Sequence, residues 1–173
     1  SPEASLEGYR LVLLPALLLV DEGLTERLDK FVKGGGRLVI TPRTGMKDPY
    51  NALLPARQPG PLTSLAGVEV EEYYALDDPV PVKGNWFTGE SRLWAERLKA
   101  GEDRYISVIA RYEPCNGWLD NHIAITVRGV GSGGLVYYVG AYLDDAAQDA
   151  FMARMIEMAP LRAPKETPPG VEV

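Results

Sequence analysis

At 173 residues the chain is long enough for one domain with a substantial core, and its 46% hydrophobic share is that of an ordinary globular sequence. A net charge of −6 argues against a nucleic-acid partner, because phosphate binding calls for a clustered basic surface. One cysteine rules out an internal disulfide, and one cysteine with one histidine is too few for a four-coordinate zinc site, so neither metal nor cofactor is expected.

The chain opens on Ser-Pro-Glu-Ala, without the basic start of a secretory signal, which predicts a cytoplasmic protein. Residues 10–15 form a short apolar run, the pattern of a strand buried on both faces. Residues 11–20 are the longest apolar stretch, but Pro15 interrupts them and they fall short of the roughly 20 residues of a membrane span, so no membrane partner is expected. Residues 22–33 carry Leu24, Leu28, Phe31 and Val32 at helical spacing, and Gly34, Gly35 and Gly36 stop that helix. Residues 37–41 read as a second buried strand, which makes residues 9–45 a parallel βαβ unit. Ligands of such sheets gather at the carboxyl ends of the strands, here Pro15-Ala16-Leu17 and Pro42-Arg43-Thr44-Gly45.

A long polar loop follows over 46–61, a length usually kept for function or interaction. Residues 62–66 are a short helix begun by Pro61 and ended by Gly67, and 68–74 a strand with one wet face. Residues 77–84, with two prolines, read as loop. Residues 85–100 fit either a helix or a strand, with a strand around 92–98 preferred. Residues 106–112 and 122–128 are strands, 129–134 (GVGSGG) a glycine turn, and 135–140 the returning strand of a hairpin. A final helix over 146–159, capped by Asp144 or Asp145, packs through Phe151, Met155, Ile156 and Met158. The order predicts a three-layer α/β sandwich with a mixed, mainly parallel sheet, flavodoxin-like in its first half.

Several residues invite chemistry. Cys115 with His122 and Asp120 suggests a nucleophile and base, but such nucleophiles sit on a strand–turn–helix elbow and no helix follows Cys115. The glycine run at 129–134 resembles a phosphate cradle but leads into a strand, not a helix N-terminus. Asp77/Asp78, Asp144/Asp145 and Glu71/Glu72 are paired carboxylates, but neighbours on a strand point to opposite faces and do not face each other across a sugar. Trp86, Phe87, Trp94 and Trp118 could stack on sugars or fill an interface, against the commoner fate of core packing. Arg43, Thr44, Asp48 and Asn51 lie at the strand carboxyl edge. There Arg43 either clamps a partner's carboxylate or pairs with Asp48 to order the long loop. Arg43, Thr44, Asp48, Asn51, Trp86 and Trp118 are thus the candidate interface or loop-ordering residues, and no catalytic residue is assigned.

These stretches, in their order and spacing, resemble the middle, trimerisation domain of glycoside hydrolase family 42 β-galactosidases. The matching segments are Tyr9-Arg10-Leu11-Val12 with Pro15-Ala16-Leu17, then Leu28 through Phe31-Val32 and the three glycines. Next come 38–41 with Arg43-Thr44-Gly45, Asp48 and Asn51, and Pro59-Gly60-Pro61-Leu62 with Leu65-Ala66-Gly67-Val68. Trp94-Ala95-Glu96, Ala110-Arg111-Tyr112, and Gly131 and Gly133 before Val136-Tyr137-Tyr138-Val139-Gly140 complete the match, from about residue 9 to 159. The resemblance implies a fold like the class I glutamine amidotransferase domain without its active site. It implies a parent that hydrolyses terminal β-galactosides by a retaining mechanism, with two catalytic glutamates in a separate TIM barrel. It further implies a homotrimer in which loops 46–61 and 79–88 help shape the neighbouring subunit's active-site entrance. The expected organisation is a trimerisation-like domain over 1–162, then a proline-rich linker over 163–173 leading to a small C-terminal β domain, the whole chain being an excised piece. The alternatives are an amidotransferase-like enzyme using Cys115, or a carbohydrate-binding module using Trp86 or Trp118.

Overall fold

The computed structural model describes residues 5–159; the linker expected over 163–173 lies outside them. Strand β1 (Leu11–Leu14) leads through helix α1 (Glu22–Lys33) to β2 (Arg37–Ile40). Asp21 caps α1 by accepting from Leu24 N at 2.7 Å, and Leu24, Leu28 and Val32 bury one face of the helix. A single 3₁₀ turn, Gly60–Leu62, and helix α2 (Thr63–Ala66) precede β3 (Val68–Ala75). Then come β4 (Val80–Gly84), β5 (Thr88–Ala100), β6 (Ile106–Tyr112), β7 (Ile123–Val130), β8 (Gly134–Val139), β9 (Ala141–Leu143) and helix α3 (Asp145–Met158).

All the strands belong to one mixed sheet of order β1-β2-β8-β7-β6-β4-β5-β3, with β9 on β5. Side chains of β2 and β8 alternate between two cores, as the period of a strand requires. Leu38, Ile40, Val136 and Tyr138 pack with α1 and α2, while Val39, Tyr137 and Val139 pack with Ala147, Phe151 and Met155 of α3. Helices therefore cover both faces of the parallel part. That part is small: β1–β2 and β2–β8 are parallel, and the other named pairings are antiparallel. The sheet is thus mixed, as read from the sequence, but mainly antiparallel. The first βαβ unit does not propagate, because the later strands follow one another through connections too short for a parallel crossover.

Other expectations also change. Residues 80–84 are strand β4, not loop; Val80 and Val82 are buried, and β4 pairs with β5 and β6. The expected long loop over 79–88 is therefore a strand and a tight turn. Strand β5 spans all of 88–100 and exceeds the stretch read as strand. In α3, Asp144 is the cap and Phe151 and Met155 are buried, but Ile156 is 50% exposed and faces away from the core. A single pairing, Leu98 with Ile123, joins β5 to β7 and closes a circuit β7-β6-β4-β5 around Val82, Ala95, Ala110, Tyr112 and Ile125.

Candidate functional site

The carboxyl end of β2 is tied to the middle of β5 through one buried carboxylate. Arg43 has φ 69°, a left-handed conformation that a non-glycine residue holds only when its surroundings fix it. Its N–H donates to Glu96 Oε1 at 2.9 Å. Trp94 Nε1 donates to the same oxygen at 3.1 Å, and Tyr138 O–H donates to Oε2 at 2.8 Å. Glu96 has no solvent exposure, and burial pushes its carboxyl above the usual range while the three donors and the Arg43 charge pull it back. Below it the Tyr112 hydroxyl lies 2.9 Å from Gly140 O and 3.0 Å from Glu96 O, and it accepts from Glu96 N at 3.2 Å. Burial drives both the Tyr112 and the Tyr138 phenols far above their ordinary value, so both remain neutral donors.

Above this buried network lies an exposed stack. The Arg43 guanidinium sits 5.3 Å from the Trp94 ring centroid, and Tyr73 stacks on Trp94 at 5.0 Å and 14°. Beside it β5 bulges: four steps from Ser91 to Ala95 oppose two from Leu143 to Ala141. Ser91 Oγ donates to Trp94 O at 2.8 Å and closes the bulge, whose crest is Leu93.

The loop after Arg43 is pinned at its base. Gly45 and Gly60 both take positive φ, and a Cβ on Gly45 would lie 2.2 Å from the Pro59 carbonyl oxygen, so only glycine fits. Gly45 N donates to Leu17 O and Lys47 N to Leu18 O, which adds the loop to the segment after β1. Asp48 Oδ1 accepts from Tyr50 N and Ala52 N, both at 2.9 Å, and Lys47 Nζ donates to Asn51 Oδ1 at 2.7 Å. Farther on, Arg57 Nη1 donates to Glu71 O at 2.7 Å, and a groove of about 450 Å³ separates 53–58 from Val70–Tyr74. Leu19, Tyr50 and Leu53 are exposed along the outside of this loop.

Among the predicted residues the structure brings Arg43 and Thr44 to one strand end and puts Asp48 and Asn51 in the loop beyond. Arg43 does not pair with Asp48. Arg43 engages Glu96 and Trp94, and Asp48 orders the loop through backbone N–H groups. Thr44 is fully buried, its Oγ1 3.4 Å from Leu14 O. Trp86 packs against Phe151 of α3 and takes part in the core. Trp118 is 41% exposed and meets Tyr74 edge-on.

In loop 113–121, Asp120 Oδ1 accepts from Cys115, Asn116 and Gly117 N–H, which holds its carboxyl below the usual range. Partial desolvation and the Asp120 charge push the Cys115 thiol up, the opposite of activation, and among the described residues no hydrogen bond joins it to His122. The glycine run is the β7–β8 turn, with Val130 paired to Gly134. Glu71 and Glu72 both reach Arg97, at 3.3 and 3.4 Å, because the bulge between Val70 and Glu72 cancels the alternation expected of strand neighbours. Among the described residues no group of three or more His, Cys, Asp or Glu side chains is arranged to hold a metal ion. No helix among them is long and apolar enough to cross a membrane.

The profile of the family described as "Beta-galactosidase trimerisation domain" matches residues 1–162. Similar relatives include the β-galactosidase BgaH of Haloferax lucentense, 36% identical over all of this chain and 26% of the relative. BglY of Alicyclobacillus acidocaldarius is 37% identical over 98% of this chain and 25% of the relative. The solved β-galactosidase of the Antarctic haloarchaeon Halorubrum lacusprofundi superposes with a TM-score of 0.84 at 34% identity, over 95% of this chain and 24% of that one. The chain belongs to the β-galactosidase trimerisation domain family, as its resemblance to that domain of family 42 enzymes implied. It spans about a quarter of the length of the curated relatives it matches.

Proposed function

We propose that this chain is a non-catalytic assembly domain that joins three subunits of a β-galactosidase into a homotrimer. The observation that carries this reading is the family match over residues 1–162. The parent would hydrolyse terminal β-galactosides with retention, its two catalytic glutamates lying in a TIM barrel elsewhere in the polypeptide. The loop over 46–61, pinned at Gly45 and Gly60 and apolar on its outer side, is suited to reach a neighbouring subunit and shape its active-site entrance. Residues 1–162 act as the domain, and 163–173 as a linker to a C-terminal β domain. The parallel β1–β2–β8 portion, with helices on both faces, supports a flavodoxin-like or class I amidotransferase-like ancestry in which the nucleophile site is gone. Against a Cys115 enzyme stands its raised thiol, and against a sugar-binding Trp86 stands its packing on Phe151.

Light scattering and a nitrophenyl β-galactoside assay test this together. The expected result is a mass above that of one chain with no turnover. Turnover abolished by Cys115→Ala would replace this reading with the enzymatic one.

A further inference from the structure

Lys83 of β4 and Arg111 of β6 are direct partners across the antiparallel β4–β6 ladder. The next rung, Val82 with Tyr112, is buried, so the alternation of both strands turns Lys83 and Arg111 together to the exposed face. Side chains so placed have Cβ atoms roughly 5 Å apart, and like charges there repel. Among the described residues neither forms an ion pair, although acids outnumber bases in this chain by 24 to 18. Arg111 is nevertheless held in place. Its Nη1 donates at 2.8 Å to the carbonyl of Asn121, a residue with a left-handed backbone at φ 63°. Two register shifts of β6 against β7 flank Ala110, and irregularities of this kind re-aim the side chain beside them.

The two cations line a cleft of about 430 Å³ together with Asn85, Glu113 and Asn121, a size usual for small-molecule sites. Arg111 uses one of its five N–H donors on Asn121, which leaves the rest of its planar fork for an oxyanion. Lys83 adds a point charge. Glu113 N donates to Pro81 O, which sets that single acid beyond the Lys83–Arg111 rung. A carboxylate ligand would cancel one of the two cations. A phosphomonoester carries about −1.5 to −2 near neutral pH and cancels both, with three oxygens for the donors. Asn85, Asn121 and Glu113 are groups that bond hydroxyls, and residues carried on paired strands hold their geometry better than residues on loops.

We propose that the cleft between β4 and β6 binds a phosphate group, free or carried on a small molecule, with Lys83 and Arg111 as its two anchors. This goes beyond the assembly reading and does not depend on it.

Isothermal titration calorimetry of the 173-residue chain at fixed ionic strength, with thermal melting beside it, tests the site with inorganic phosphate, glucose 6-phosphate and glucose. Saturable binding of a phosphate probe and none of glucose is expected. Tighter binding of glucose 6-phosphate marks a phosphorylated sugar as the ligand, and equal affinities mark the phosphate alone. Lys83→Gln melts no lower than the wild type, because it removes a like-charge neighbour, but binds phosphate about tenfold more weakly, the loss expected for one charge-assisted contact. Arg111→Lys keeps the charge, loses the fork and also binds more weakly. Phosphate stabilises folded proteins in general by exclusion from their surface, so a rise in melting temperature equal in the wild type and Lys83→Gln overturns the site. No saturable heat with either phosphate probe, binding by Lys83→Gln at wild-type strength, or glucose binding as tightly as glucose 6-phosphate also overturns it, while the assembly reading stands.

Discussion

Glu96 joins three segments far apart in sequence: Arg43 at the end of β2, Trp94 on β5 and Tyr138 on β8. Removing it leaves three donors without an acceptor in a site closed to water. Glu96→Ala is therefore expected to lower unfolding free energy by about 3 kcal/mol in urea titration, within the range for breaking a buried polar network. Because burial raises its folded-state value, the native protein holds the proton more readily than the unfolded chain. Its contribution is thus greatest below the ordinary glutamate value of about 4.3 and declines as pH rises through the raised folded value. The stability difference between wild type and Glu96→Gln is expected to follow that decline and then level off; a difference that grows with pH contradicts the assignment. Arg43 stood out in the sequence because it follows the end of a parallel strand, where ligands of such sheets gather. Its partner there, Glu96, did not, since its partners at positions 43 and 138 are remote and an acid next to Arg97 reads as a solvated strand residue.

At the scale of elements, local pattern sufficed where an element makes its own signal. Helix α1 runs over the residues its apolar stripe and glycine stop predict, and β6 does the same. It failed where tertiary pairing decides. Two prolines disguised β4, yet Pro81 is tolerated there because it lies at the strand's start, before the ladder with β6 begins at Val82, so no partner in that ladder needs its missing N–H. The bulge at 91–95 broke the alternation of β5, so a helix stayed open beside the preferred strand at 92–98, and the strand's true extent over 88–100 was missed. In α3, Asp144 serves both its own helix, through Ala147 N, and β5, through Glu90 N, and these N–H groups hold its carboxyl below the usual range. Asp144→Ala is expected to cost about 2 kcal/mol, the upper end for a helix cap because two donors lose their acceptor. Its contribution is present above the ordinary aspartate value and lost as pH falls through the depressed one. Ile156→Ala, by contrast, is expected to change stability by less than about 0.5 kcal/mol in chemical denaturation, because the side chain faces water.

For the whole molecule, the parallel start and antiparallel continuation place Arg43, Trp94 and Tyr73 on one surface, although they come from β5, β3 and the loop after β2. The sequence carried the family through the order of many weak segments, while the strand order that assembles the surface depends on pairings such as β2–β8 that no local pattern encodes. The central claim is that the domain exists to assemble copies of itself. Sedimentation equilibrium of the 173-residue chain tests it most directly. A limiting mass three times the 18.9 kDa of one chain is expected, and a mass of 18.9 kDa across the whole concentration range contradicts it.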